Sequence, residues 1–498
     1  MSLQGLPPEL TERVVVLLSL SDISSLRLTN RWVASNTAQR HLKAKFRTKR
    51  VQLTEQRLRS FVAVTALGGL GCLLQDLTLV APVYNTLELT ARLEFEEAGA
   101  AKLDDEGRYI GFERRDLTDE DLQQTEIDLA VLRKRLAEQL DLQRRQRDVE
   151  LLGQALSNLA AHGASLRVLR TEVEVYMNDT STPLLPIFGG HEKLIWDASS
   201  HVSRTMFACL AACDLPIQNL DLFGDNRMIR CSLPCKELES IDFASVGLGS
   251  SLRQLTGLSL RVSDRHVRDH TLRGIPAEST QETFDGLRSL LRTCSSIQKL
   301  DLAHFSRVFV KREGKQHGRL LQVLVESSLQ HLRCLTLQGL ELSECELLTS
   351  LQGIGTLRNL TLRYIRLTDG SFTPIFDYCT EEMERLELDS LSHKVDLGGN
   401  FESRTIMFEP PWVVQANVPA LRNSRPAQFP DSRASYWRPS DNTTDRRIKH
   451  HFHPRTLDAA YIRAWNQDMK NRIGPLTERG QPSYLQPLVR AENTWRFR

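Results

Sequence analysis

The chain has 498 residues, 41% of them hydrophobic and 25% charged, with a formal net charge of +2. That length allows two to four structural units of ~100–200 residues, and so small a net charge gives no global attraction to nucleic acid or to a membrane. No secretory signal and no run near the ~20 apolar residues of a spanning helix is visible, so the nine scattered cysteines are expected to be reduced thiols in cytoplasm or nucleus.

Leu6 to Phe46 reads as three short helices. Pro7 and Pro8 suit a helix start, where the missing N–H costs nothing, and Glu9 puts a carboxylate at the positive end of the dipole. Leu10, Val14, Leu17 and Leu18 fall at i, i+4, i+7 and i+8, one apolar stripe. Ser21 or Asp22 is expected to cap a second helix carrying Ile23, Leu26 and Leu28, and Asn30 a third beginning near Trp32 and Val33. So short a unit carries more apolar surface than it can hide internally, so it is expected to dock on something. The ordered set Leu6-Pro7-x-Glu9-Leu10, Val14, Leu18, Asp22 and Leu26-Arg27-Leu28-x-Asn30-Arg31-Trp32 resembles an F-box over about a tenth of the chain. It departs from the family pattern at Leu17, where many members carry an aromatic, and at Thr29-Asn30. The resemblance implies binding to a Skp-type linker protein, with Leu6, Pro7, Glu9, Leu10, Val14, Leu18, Leu26 and Trp32 contacting the linker or shaping that surface. The same residues also read as a helical cap closing the next domain.

After a helical segment from Val51 to Leu74, a pattern of apolar-x-x-Leu-x-apolar begins at Leu74-x-x-Leu77-x-Leu79 and returns along the chain. Copies stand at Leu166-x-x-Leu169, Ile217-x-x-Leu220-x-Leu222, Leu238-x-x-Ile241-x-Phe243, Leu255-x-x-Leu258-x-Leu260 and Ile297-x-x-Leu300-x-Leu302. Three more are Leu332-x-x-Leu335-x-Leu337, Leu357-x-x-Leu360-x-Leu362 and Met383-x-x-Leu386-x-Leu388, with a weaker one at Leu194-Ile195-Trp196. Residues two apart in a strand face one side, so each Leu-x-Leu pair is expected to point inward. Helical stretches such as Thr283 to Thr293 and Gly318 to Leu332 lie between copies, and stacking alone lets each unit bury its face. The spacing resembles a degenerate leucine-rich repeat; where an Asn or Cys is usual, Leu340 and Ile365 stand instead.

Between the first two copies lies an interruption. Glu94 to Arg115, with Gly99, Gly107 and Gly111, reads as a loop, and from Asp119 the spacing of Leu122, Leu129, Leu132, Leu136 and Leu140 predicts a long amphipathic helix with a charged outer face. The last segment, Phe401 to Arg498, holds ten of nineteen prolines, twelve of 32 aromatics, and 16 Lys+Arg against 9 Asp+Glu. It reads as an irregular tail held down by its aromatics, Trp412, Trp437 and Trp465 among them.

No phosphate-binding, dinucleotide, nucleophile-elbow or zincin motif occurs. Cys209-x3-Cys213 and Cys231-x3-Cys235 have spacing within reach of zinc, but the first pair lies in an apolar helical stretch where buried thiols act as small hydrophobes. His450, His451 and His453 have no carboxylate cluster nearby in sequence.

The sequence therefore predicts an α/β fold: a three-helix F-box, an irregular leucine-rich-repeat solenoid with a parallel sheet, and a mostly irregular C-terminal tail. The divisions fall at 1–50 for the helical unit, 51–80 for a linker helix and first repeat, 81–162 for the insertion, 163–400 for the solenoid and 401–498 for the tail. The resemblance implies a non-enzymatic substrate adaptor of a cullin–RING (SCF-type) ubiquitin ligase in cytoplasm or nucleus. Its partners would be the Skp-type linker, through it cullin and RING subunits, and a substrate protein; no cofactor, metal, membrane or nucleic acid is expected. A repeat scaffold not coupled to ubiquitin transfer is the alternative.

Overall fold

The computed structural model describes residues 7–31, 34, 43–44, 46–95, 97–103, 109–176, 192–224, 231–263, 284–305, 315–396, 401–408, 433–437 and 450–454. The chain divides into two units, residues 1–340 with 349–357 and residues 341–348 with 358–498.

In the first unit, helices α1 (Pro8–Val16) and α2 (Leu20–Thr29) precede β1 (Thr48–Gln52), α3 (Glu55–Ala66) and β2 (Asp76–Tyr84). Then come α4 (Thr86–Phe95), the hairpin β3 (Glu97–Leu103) and β4 (Tyr109–Asp116), α5 (Asp119–Arg144), α6 (Arg147–Ala161) and β5 (Leu166–Tyr176). The rest is α7 (Glu192–Ala211), β6 (Ile217–Leu222), β7 (Leu233–Pro234), α8 (Cys235–Glu239), α9 (Val246–Leu252), β8 (Gly257–Ser263), α10 (Asp285–Thr293), β9 (Lys299–Phe305), α11 (Lys315–Glu326) and β10 (Cys334–Gln338).

The Leu-x-Leu pairs set the sheet. Strands β1, β2, β5, β6, β8, β9 and β10 lie side by side in that order, all parallel, with β7 beside β8. Their register puts Leu77, Leu169, Leu220, Leu258, Leu300 and Leu335 in one row. The next row is Leu79, Thr171, Leu222, Leu260, Leu302 and Leu337, and every member of both rows is buried. At roughly 1.5–3 kcal/mol for each buried leucine, these two rows are the main cohesive element of the unit. Helix α6 packs against α3 on one side and α7 on the other, and α7 lies on β2 and β5. Polar links tie them: Asn158 Nδ2 donates to Thr65 Oγ1 at 3.2 Å, and His201 Nε2 lies 2.6 Å from the buried Asp148 carboxylate.

Two of the repeat copies are not strands. Leu194-Ile195-Trp196 lies in α7, and Leu238 lies in α8 with Ile241 and Phe243 in the turn after it. At Leu238 a spacing of three is also a helical contact, and Leu194-Ile195-Trp196 falls in the twenty-residue α7, where Ile195, Trp196, Val202, Met206, Cys209 and Leu210 are buried. The interruption is more regular than a loop and one helix. β3 and β4 form an antiparallel hairpin, and the helix breaks at Gln146, whose φ of 53° is left-handed, giving α5 and α6. α6 joins the helix layer, whereas Leu129 and Leu132 of α5 pack with Leu89 on Tyr84 and Tyr176. In the strand alternation, these tyrosines belong to the face opposite the leucine rows, so the insertion covers part of the polar face of the sheet.

The second unit holds β11 (Glu341–Ser343), β12 (Asn359–Arg363), β13 (Arg366–Asp369), α13 (Thr373–Glu382), β14 (Arg385–Asp389), β15 (Ser392–Asp396), β16 (Phe401–Phe408), β17 (Arg433–Trp437) and β18 (His450–Pro454); α12 (Glu344–Gly353) contributes to both units. Parallel β12 and β14 pair Leu360 with Leu386 and Leu362 with Leu388, and all four are buried. After each strand one left-handed residue, Tyr364 (φ 52°) or Ser390 (φ 54°), redirects the chain into β13 or β15 of a second sheet ordered β11-β13-β15-β16-β18. Gly339, at φ 75°, makes the same turn after β10, and there a Cβ would lie 2.4 Å from the His304 carbonyl oxygen.

The described part of the tail, residues 401–408, 433–437 and 450–454, forms three short strands. β17 pairs antiparallel with β14, and β16 and β18 extend the second sheet, also antiparallel. The β-branched and aromatic residues of Phe401 to Phe408 suit a pleated strand. Trp437 stands opposite Arg385 in register, and Trp412 and Trp465 lie outside the described residues.

Candidate functional site

Helix α1 starts as its sequence requires. Pro7 is the N-cap, Pro8 occupies the first turn, and the backbone N–H groups of Leu10 and Thr11 donate to the Pro7 carbonyl at 3.0 Å. α2 is capped by Ser19, not Ser21 or Asp22. Ser19 Oγ accepts from the Asp22 N–H at 3.2 Å, and Asp22 Oδ2 accepts from the Ser19 N–H at 3.2 Å, a closed capping box. Asn30 is the C-cap of α2, and its carbonyl accepts from the Ala34 N–H at 2.8 Å; the rest of the expected third helix lies mostly outside the described residues.

The apolar residues of α1 separate into two faces. Thr11 and Val15 are buried and Leu18 half-buried; Val15 and Ile23 form a small core on which Leu18, Phe46 and Leu70 pack. One residue earlier in each turn, Leu10, Val14 and Leu17 face solvent at 44%, 39% and 85% exposure. The expected single stripe of Leu10, Val14, Leu17 and Leu18 is thus divided, because the helical advance of 100° per residue carries Leu18 to the packed side. On α2, Leu26 is half-buried and Leu28 is 89% exposed. Pro7 is exposed and Glu9 lies in the first turn of α1, while Leu6 and Trp32 lie outside the described residues. Among the described side chains of this stretch, Leu17 and Leu28 are the most exposed apolar residues.

A second cluster lies on the polar face of the sheet. Arg50 on β1 reaches across β2 to bond Glu172 (2.7 Å) and Glu174 on β5. Gln52 donates to Glu174 at 2.8 Å and also bonds the Tyr176 hydroxyl, which itself donates to Glu174 at 2.6 Å. Burial alone pushes the Glu174 carboxyl up, but bonds from Tyr176, Gln52 and Arg50 together with the Arg50 charge outweigh it and hold the group below its ordinary value. Burial and the neighbouring Glu174 push the Tyr176 phenol up. These bonds tie β1 to β5 across β2.

The cysteines are inert in the same sense. Burial pushes the Cys209, Cys231, Cys294 and Cys379 thiols up to about 12. All nine cysteines are free, and among the described residues no group of three or more His, Cys, Asp or Glu is placed to hold a metal. Among those residues too, no helix is long and apolar enough to cross a membrane.

No protein-family model matches the chain, and no curated protein matches it. Among solved structures, it is similar to the mouse RP105/MD-1 complex at 11% identity and a TM-score of 0.16, over 44% of this chain and 33% of that one. The chain thus spans about a third of the length of that protein.

Proposed function

We propose that the protein is a substrate adaptor of a cullin–RING ubiquitin ligase, with α1 and α2 as an F-box that docks on a Skp-type linker protein. The observation that carries this reading is the outward stripe of Leu10, Val14 and Leu17 on α1, with Leu28 on α2. A helix that only closes the solenoid turns its apolar residues inward. Here Val15 and Ile23 do that task while a second apolar set stays in solvent, and of that set Leu10 and Val14 are positions the F-box resemblance assigns to linker contact. The parallel leucine-rich-repeat-like sheet is suited to hold a partner protein, since stacked repeats present an extended surface rather than a pocket. The scaffold reading draws on the packing of Val15 and Ile23 with Phe46 and Leu70, which a closing cap also requires.

The test is co-purification of the full chain with a Skp-type linker and cullin, beside the Leu10→Asp/Val14→Asp double variant. Both residues are exposed, so the variant is expected to fold. Charges buried in the contact should cost several kcal/mol and abolish linker capture. Equal capture by a folded variant would reject the adaptor reading.

A further inference from the structure

The strand β17 covers a site that the repeat itself leaves open. We infer that the edge of β14 is an acceptor for an extended peptide strand of a partner protein, and that residues 433–437 occupy it in cis. This does not depend on the adaptor reading.

The argument begins with the direction of the β14 backbone. The Asp389 carbonyl accepts from the Tyr364 N–H at 2.9 Å, and the Arg385 N–H donates to the Arg358 carbonyl at 3.2 Å. Both partners lie on the β12 side. Successive residues of a strand direct their N–H and C=O to alternate edges, so Arg385, Glu387 and Asp389 serve β12, and Leu386 and Leu388 serve the other edge. That edge is where β17 lies, with Tyr436 opposite Leu386 and Ala434 opposite Leu388. Without β17, two N–H and two C=O groups at the end of a parallel sheet would stand unpaired, a ready template for strand addition.

β17 is unlike the strands it joins. β12 and β14 carry the Leu-x-Leu pair and run parallel. β17 reads Arg-Ala-Ser-Tyr-Trp, runs antiparallel, and pairs with β14 over five residues. It comes from the segment that the sequence already separates from the repeats by its proline and aromatic content. The acceptor edge also states what it takes. Small and aromatic residues, Ala434 and Tyr436, stand opposite Leu388 and Leu386, and a cation, Arg433, stands opposite Asp389. A partner strand with a basic residue followed by alternating apolar positions has the same chemistry. Because β17 is tethered, its effective concentration at the edge is high, so a foreign strand binds only where it displaces β17 or β17 is weakened.

Proline substitution separates the two edges of β17. Ala434→Pro removes an N–H that serves the β14 ladder, whereas Ser435→Pro removes one directed away from it. The probe is a fluorescent peptide of residues 431–439, measured by anisotropy against full-length wild type and both variants. The Ala434→Pro chain should bind it at least tenfold more tightly than the wild type or Ser435→Pro, and a scrambled peptide should not bind. Hydrogen exchange should show the Leu386 and Leu388 amides exposed in Ala434→Pro and protected again on adding peptide. Exposed amides without peptide binding would overturn the acceptor site, and amides that stay protected would show that β17 is not what covers them. If Ala434→Pro does not fold, native-state exchange of the wild type decides. Opening of these two amides at denaturant well below global unfolding supports exchangeability, and exchange only through global unfolding overturns it.

Discussion

Glu174 shows how one buried carboxylate is kept ionised by its neighbours. It donates nothing and accepts from Arg50, Gln52 and Tyr176. Its folded-state ionisation lies below the ordinary value of 4.5, so folding favours the ionised form. Its contribution is therefore present above pH 4.5 and is lost as pH falls through the lower folded-state value. Glu174→Gln should cost about 1–2 kcal/mol near neutrality, at the low end because Arg50 is half exposed. Thermal unfolding of the pair should converge once the pH has fallen through the lowered folded-state value; a difference that persists in acid would show that lost packing, not charge, is responsible. The thiols obey the opposite sign, since burial favours their neutral form. Alkylation at neutral pH should label the exposed Cys345 first, and leave Cys209, Cys231, Cys294 and Cys379 untouched until the chain unfolds. Peptide mapping after timed labelling distinguishes the two groups.

Among the elements, the repeat strands were the most legible. Each Leu-x-Leu pair of β2, β6, β8, β9, β10, β12 and β14 is a strand with both leucines buried, because alternation in a five-residue run leaves one arrangement that hides both. Leu360→Ala should accordingly destabilise by roughly 2–5 kcal/mol, whereas Thr361→Ala on the other face should stay within about 0.5 kcal/mol; denaturant midpoints at constant slope measure both. The same pattern misled at Leu238, where a three-residue spacing satisfied a helix equally well, and at Leu194-Ile195-Trp196, an apolar run that falls in α7. The stripe of α1 was legible as apolar but not as two faces, since the packing of Val15 against Phe46 and Leu70 joins residues distant in sequence. The cluster of Arg50, Glu172 and Glu174 was not legible, because β1 and β5 are separated by more than a hundred residues and nothing local marks their register. The tail strands were hidden for a related reason. β16 and β17 pair with edges that exist only once the repeats have stacked, and β18 pairs in turn with β16.

For the whole molecule, those edges matter more than their short strands suggest. β16, β17 and β18 close one end of each sheet of the second unit. Ending the chain at Asp396 should leave β14 and β15 each with one open edge, and open edges template association. The shortened protein should lose thermal stability and form concentration-dependent oligomers in sedimentation, where the full chain does not; a monomeric fragment of unchanged stability would show the tail strands to be dispensable.

At the other end, the pairing of β2 with β5 sets an order in time. Leu77 must wait for Leu169, and Tyr84 for Tyr176, so while the chain is being made, β2 has β1 on one side and an empty edge on the other. At about 5–20 residues per second, the intervening stretch takes on the order of 5–20 s to emerge from a ribosome. During that interval, Val80, Pro82 and Tyr84 have neither their strand partner nor, until residue 132 is made, the α5 cover that buries Tyr84. The nascent first unit is thus a half-built sheet with an unsaturated edge, and a chaperone that binds extended apolar segments has its natural target at residues 76–84.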